Sequence, residues 1–183
     1  DQADIVGEVF EDDAATVDEA IGRAAAGQPD WSATPVAERA AILRRAADLY
    51  EVSAGEFHAL CAREAGKTLA DAIAEVREAV DFLRYYAAEA PGSEAGTAPR
   101  GVIACISPWN FPLAIFTGQI AAALAAGNAA IAKPAEQTPL IAAEAVRLFH
   151  AAGLPPDLLA LLPGDGATIG AALVSHPLID GVA

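Results

Sequence analysis

From Val102 onward the chain alternates short, continuously apolar runs with longer stretches of helical pattern, and no other feature limits its possible folds as much. Residues 102–106, 129–133, 158–162 and 179–183 read as strands without a polar face, because they lack the in-out alternation of a half-exposed sheet. Between them the pattern predicts a helix over about 112–126 ending at Gly127. A second opens at Thr138-Pro139 and closes at Gly153, and a third covers about 167–174. Strands buried on both faces, alternating with helices, belong to a parallel sheet covered on each side. The expected class is α/β.

Residues 1–90 carry no such strands and are expected to form a helical lead. Val17, Ala20, Ile21, Ala24 and Ala25 fall at amphipathic spacing, with Gly27 as the stop. Thr34-Pro35 predicts an N-cap and first helical position, and Ser53-Ala54-Gly55-Glu56 has the capping-box pattern. Gly66 ends that third helix. Thr68 then caps a long helix in which Ile73, Val76, Val80, Leu83 and Ala87 share a face. Pro91 to Pro99 is rich in helix breakers, which divides the chain into a helical segment 1–90, a linker 91–100 and an α/β segment 101–183.

With 183 residues, 54% hydrophobic and 20% charged, the chain has enough apolar material for a real core. Its net charge of −14 argues against nucleic-acid binding through the phosphate backbone. The stretch Ile115 to Ala132 is interrupted by Gly118, Gln119, Gly127 and Asn128, so it is no membrane span, and a cytoplasmic setting is the default expectation. Cys61 and Cys105 lie far apart in apolar surroundings and read as buried, reduced thiols. His58, His150 and His176 stand alone, without metal-ligand spacing, so no metal is expected. The chain has no methionine and closes on a strand-like run, and it is read as a piece of something longer.

In a parallel α/β sheet, ligands gather beyond the carboxyl ends of the strands, where loops turn into helices. Three loops leave that edge: Ser107 to Pro112, Pro134 to Thr138 with Lys133 at the strand end, and Gly164 to Gly170. In the first, two prolines bracket Trp109, Asn110 and Phe111. Asn110 is either a turn residue or an amide held rigidly to donate to a developing oxyanion, which needs such pre-organisation. In the second, Lys133 and Glu136 are either a solvated loop pair or a joint site for two vicinal ribose hydroxyls, where the carboxylate would repel an added 2′-phosphate. The third is G-x-G-x-x-x-G, either a tight turn with close helix packing or a ligand contact.

Ile106-Ser107-Pro108-Trp109-Asn110-Phe111-Pro112, followed by Lys133-Pro134-Ala135-Glu136-Gln137-Thr138-Pro139, resembles the aldehyde dehydrogenase superfamily. Within it, 63–68 (REAGKT), 75–86 (EVREAVDFLRYY) and 162–166 (LPGDG) resemble the 1-pyrroline-5-carboxylate (glutamate γ-semialdehyde) dehydrogenase domain of bifunctional proline utilisation proteins, over essentially the whole chain. The resemblance implies a Rossmann-like NAD-binding segment and a parent reaction that oxidises glutamate γ-semialdehyde to glutamate. It implies that Asn110 is an oxyanion donor, that Ile106, Ser107, Pro108 and Trp109 line the cofactor channel, and that Phe111 presses on the aldehyde's aliphatic part. Lys133 and Glu136 would hold the adenosine ribose, Gly166 and Gly170 would admit the adenine end, and Glu78 would lie near the aldehyde.

The same resemblance places the nucleophilic cysteine, the general-base glutamate and the nicotinamide-side loop beyond Ala183, and neither Cys61 nor Cys105 matches the nucleophile. The isolated chain is therefore expected to be inactive. The implied parent is a homo-oligomer, with a preceding proline dehydrogenase domain left open; the stretch 90–100 is short for the segment that begins an oligomerisation hairpin. Two other readings stand beside this one: a dehydrogenase of another semialdehyde, such as succinate semialdehyde, and a non-catalytic nucleotide-binding or interaction fragment.

Overall fold

The computed structural model describes residues 5–93 and 97–183; residues 94–96 of the expected linker lie outside the described residues. Four helices lead: α1 (Ala14–Ala33), α2 (Val36–Val52), α3 (Ala54–Glu64) and α4 (Leu69–Ser93). Then come β1 (Val102–Ile106), α5 (Ala114–Ala125), β2 (Ala129–Lys133), α6 (Pro139–Ala151) and a 3₁₀ turn (Pro156–Leu158). The chain closes with β3 (Leu159–Leu161), a π-helical turn (Gly166–Gly170), α7 (Ala171–Ser175) and β4 (Gly181–Val182). β1 and β2 fall on the residues the apolar runs mark, while β3 and β4 are shorter than expected.

All strands are parallel, in the order β3-β2-β1-β4. The chain steps outward from β1 to β3, then crosses back to lay β4 on the other side of β1. With right-handed crossovers, α5 and α6 cover one face and α7 the opposite one. α1 packs on the strands and on α7, whereas α2 packs on α5 and α6. The strand order reverses between β1 and β4, and the crevice outside such a point is where open α/β sheets hold ligands.

β2 is buried throughout, and Phe116, Ile120, Leu124, Ile131, Ile141 and Phe149 are wholly enclosed between sheet and lead. Each such side chain contributes about 1.5–3 kcal/mol by leaving water. The hydrophobic core runs without interruption from α1 to α7, so the helical lead and the sheet bury one another.

Several helix boundaries differ from the sequence expectation. α1 does not stop at Gly27; it continues through Gly27 and Pro29 to Ala33. Gly27 instead packs beside the 3₁₀ turn, where a Cβ would meet Asp157 and Leu158 atoms at an ordinary contact distance of 3.6 Å. The last turn is held from outside: Trp31 Nε1–H donates to the Leu124 carbonyl at 3.0 Å and Gln28 Nε2–H to that of Gly127 at 3.0 Å. Thr34 closes α1 and Pro35 precedes α2, one residue off the expected cap. Ser53 does precede α3, but its side chain makes no capping bond, so the capping box is absent. Thr68 caps α4 as expected, its Oγ1 accepting from the Asp71 N–H at 3.2 Å. Ile73 lies outside the shared apolar face; Ala72, Val76, Ala79, Val80, Leu83 and Ala87 form it.

Pro91 does not end α4, which continues through Pro91-Gly92 to Ser93. A proline inside a helix leaves the carbonyl four residues back without its N–H donor. Here Arg44 Nη2 donates to that carbonyl, Ala87 O, at 3.1 Å. Arg44 has two counterparts on α2: Arg39 Nε donates to Ala125 O at 3.3 Å, and Arg45 Nε to Ala152 O at 2.8 Å. Cations at helix C-termini complement the helix dipole and satisfy orphan carbonyls, so α2 secures the ends of α5 and α6 that point away from the ligand edge.

Candidate cofactor and active site

The three loops converge at the carboxyl edge because β1, β2 and β3 run in register beside one another. The first two are fastened at their roots: Ile106 pairs with Lys133, and the Ser107 N–H donates to the Lys133 carbonyl at 3.2 Å. On the other side the Ile106 N–H donates to the carbonyl of Ala183, beside β4. Ser107 is buried and Pro108 half-buried, whereas Trp109, Asn110 and Phe111 project as an exposed tip. The Asn110 amide has no hydrogen-bond partner among the described residues, so no turn-shaping bond employs it.

Beneath that tip lies a buried carboxylate that the loop sequence does not reveal. Glu75, on the inward face of α4 and 2% exposed, accepts from the N–H groups of Leu113 and Ala114 at 3.1 and 2.9 Å. Its other oxygen takes a bond from Lys67 Nζ at 2.6 Å, and that ammonium stands 4.9 Å from the centre of the Phe111 ring. Removing either member of such a buried pair leaves an uncompensated charge, at a cost of about 3–5 kcal/mol. The signal for Glu75 was available in the sequence: it is a charge set within an otherwise apolar helical stripe, beside Ala72, Val76 and Ala79.

The second and third loops also meet. Glu136 Oε1 accepts from the Gly166 N–H at 2.8 Å. The turn rests on the lysine stem at Gly170, where a Cβ would meet Lys133 Cε at an ordinary contact distance of 3.6 Å. Asp165 caps the π-helical turn, and the bond from the Thr168 N–H, with the Lys133 charge a lesser influence, holds its carboxyl below the usual carboxylate range. Gly164 has φ +151, and a Cβ there would sit 2.5 Å from Ile169 Cγ1, so the tight-turn reading of this glycine holds. Among the expected site residues, Glu78 alone is not drawn into these clusters. It is exposed on α4 beside Ala74, Arg77 and Asp81, and no hydrogen bond joins it to the first loop among the described residues.

Both cysteines are free and buried. Burial, reinforced by Glu75 and opposed by Lys67, pushes the Cys61 thiol up to about 12, and burial alone pushes Cys105 up to about 12. Thiols so raised are inert at neutral pH. Among the described residues there is no cluster of metal-ligating side chains, and no helix is long and apolar enough to cross a membrane.

An ammonium that is 4% exposed needs acceptors, and among the described residues Lys133 Nζ has one, the Pro134 carbonyl at 3.3 Å. A lysine offers three donors. The unfilled donors, with a carboxylate three residues on and glycines alongside, suit the vicinal hydroxyls of a nucleoside ribose. The fit of this edge to a dinucleotide rests on that donor set.

The aldehyde dehydrogenase family model matches residues 1–183. The chain is 57% identical over 181 residues to the bifunctional protein PutA of Klebsiella aerogenes, covering 98% of this chain and 14% of that protein. A crystal structure of a bifunctional proline utilization A protein superposes with TM-score 0.91 at 50% identity, over 96% of this chain and 19% of the other. A 1-pyrroline-5-carboxylate dehydrogenase from Thermus with bound NAD superposes with TM-score 0.89 at 37% identity, over 94% and 36%. The chain thus spans about a seventh of the length of the PutA relative. On the match along its whole length and on these relatives, this protein belongs to the aldehyde dehydrogenase family.

Proposed function

We propose that this segment is the cofactor-holding part of an NAD-dependent dehydrogenase that oxidises glutamate γ-semialdehyde, the open form of 1-pyrroline-5-carboxylate, to glutamate. One observation carries the reading. The rigid Asn110 tip, with its amide unengaged among the described residues, stands on the same sheet edge as a buried lysine whose ammonium has donors beyond the one given to the Pro134 carbonyl.

Lys133 and Glu136 bind the two ribose hydroxyls, one donating and one accepting, while Gly166 and Gly170 leave room for the adenosine. Ile106, Ser107, Pro108 and Trp109 line the path toward the reacting end. NAD, when bound, takes up the hydride that leaves the aldehyde carbon. Asn110 donates to the aldehyde oxygen as negative charge develops there, a contribution that grows toward the transition state. Phe111 presses on the aliphatic chain from a ring whose other contact is the Lys67 ammonium, and Glu78 approaches the substrate from α4. The attacking thiolate and the general base come from residues outside 1–183, in a homo-oligomeric enzyme of cytoplasmic setting. The PutA likeness supports a proline dehydrogenase domain in the same polypeptide.

The test is NADH formation by the full-length enzyme carrying this segment. Turnover of glutamate γ-semialdehyde should exceed that of succinate semialdehyde by at least tenfold in kcat/KM. A preference the other way assigns a different semialdehyde.

A further inference from the structure

We propose that Glu75 and Glu64 are positioning residues that hold the two ligand-edge loops independently, each through the first turn of the helix that follows its loop. Glu75 fixes the Asn110 loop through α5, and Glu64 fixes the Lys133–Glu136 loop through α6. What each loop does rests on the dehydrogenase reading above; that each is held this way rests on the geometry alone.

Neither α5 nor α6 has a side-chain cap of its own, so their first N–H groups need acceptors from elsewhere. Both obtain a carboxylate from the helical lead. Glu75 Oε2 takes Leu113 and Ala114, and Glu64 takes the N–H groups of Leu140 and Ile141 at 2.7 and 2.9 Å. A carboxylate there is favoured twice, by charge-assisted bonds and by the positive end of the helix dipole.

The capped residues are close to the functional ones. Two residues, one of them Pro112, lie between Asn110 and Leu113, and three, one of them Pro139, lie between Glu136 and Leu140. Proline removes backbone freedom, so a displacement of the capped turn passes to the loop with little loss. Glu75 has a second route, because its partner Lys67 also stands over Phe111. The acidic pair therefore sets two loops from one rigid lead. Misplacement of a catalytic group by about 1 Å costs on the order of 10²-fold in rate.

The experiment compares Glu75→Gln, Lys67→Met and Glu64→Gln in the full-length enzyme, below the lowest melting temperature of the set. Glu75→Gln and Lys67→Met should lower kcat by about tenfold or more with NAD affinity within about twofold. Glu64→Gln should weaken NAD binding by about tenfold, with kcat at saturating NAD within about twofold. Purely structural caps would lower melting temperatures and leave both kinetic parameters near wild type, or shift them alike in all three variants; either pattern overturns the proposal. If Glu75→Gln fails to fold, Lys67→Met carries the same test, since it leaves the carboxylate on α5.

Steady-state anisotropy of a fluorescent amino acid installed in place of the exposed Trp109 of the full-length enzyme provides a readout that does not depend on catalysis. Anisotropy should fall in Glu75→Gln and hold in Glu64→Gln. Equal anisotropy in both variants sinks the positioning role, whereas a wild-type enzyme without NAD-linked aldehyde oxidation sinks only the functional reading.

Discussion

Glu136 accepts a hydrogen bond from the Gly166 N–H at 2.8 Å, so the carboxylate that follows β2 is tied to the third loop of the ligand edge. A tethered carboxylate cannot swing away from an incoming 2′-phosphate. NADP should therefore bind at least about fivefold more weakly than NAD to the full-length enzyme, since close like charges cost about 1 kcal/mol or more when partly desolvated. Glu136→Gln keeps an acceptor for Gly166 and should narrow the gap. Calorimetric titration showing equal affinities in wild type removes the assignment.

The Asn110 amide makes no hydrogen bond among the described residues, so its loss should be felt in the chemistry. Asn110→Ala should reduce turnover of the full-length enzyme by about 10²–10³-fold, the usual loss for one oxyanion donor, with NAD affinity and melting temperature near wild type. Intact turnover combined with a lowered melting temperature would make Asn110 a turn residue.

Cys61 and Cys105 should be silent at neutral pH. Their folded thiols titrate near 12, well above an unfolded cysteine, so the stability this contributes is complete below about pH 8.5 and is lost as pH rises toward 12. The isolated folded chain should resist a disulfide thiol reagent at pH 8, react at both sites once denatured, and show no NADH formation from aldehyde. Prompt labelling of the native chain would contradict the burial on which this rests.

Gly101 should tolerate no side chain. Its φ is +135, and a Cβ would lie 2.0 Å from Asp180 Oδ2, the oxygen that accepts from the Val102 N–H where β4 joins β1. Backbone strain and overpacking together give about 2–5 kcal/mol for Gly101→Ala. At this chain length that lowers the melting temperature by roughly 5–15 °C, measurable by circular dichroism. A shift under 2 °C would show that Asp180 moves aside without penalty.

The chain-local features were legible in the sequence: the apolar runs of β1 and β2, the glycines that close α3, α5 and α6, the Thr68 cap, and the three edge loops with Asn110, Lys133 and Glu136. Periodicity, proline and glycine act within a few residues, so their signals survive without tertiary context. What the tertiary structure decided lies at greater separation. Whether Pro91 ends α4 depends on Arg44, 43 residues from the Ala87 carbonyl it serves. Whether Gly27 ends α1 depends on Trp31 reaching Leu124, 93 residues away. The caps of α5 and α6 come from Glu75 and Glu64, 38 and 76 residues from the first N–H each one holds. A helix end needs a partner for its orphan backbone groups, and any element packed nearby can supply one. The sequence alone determined that these helices and loops form; only the packed fold decided where α1 and α4 end and which side chains satisfy the orphan groups.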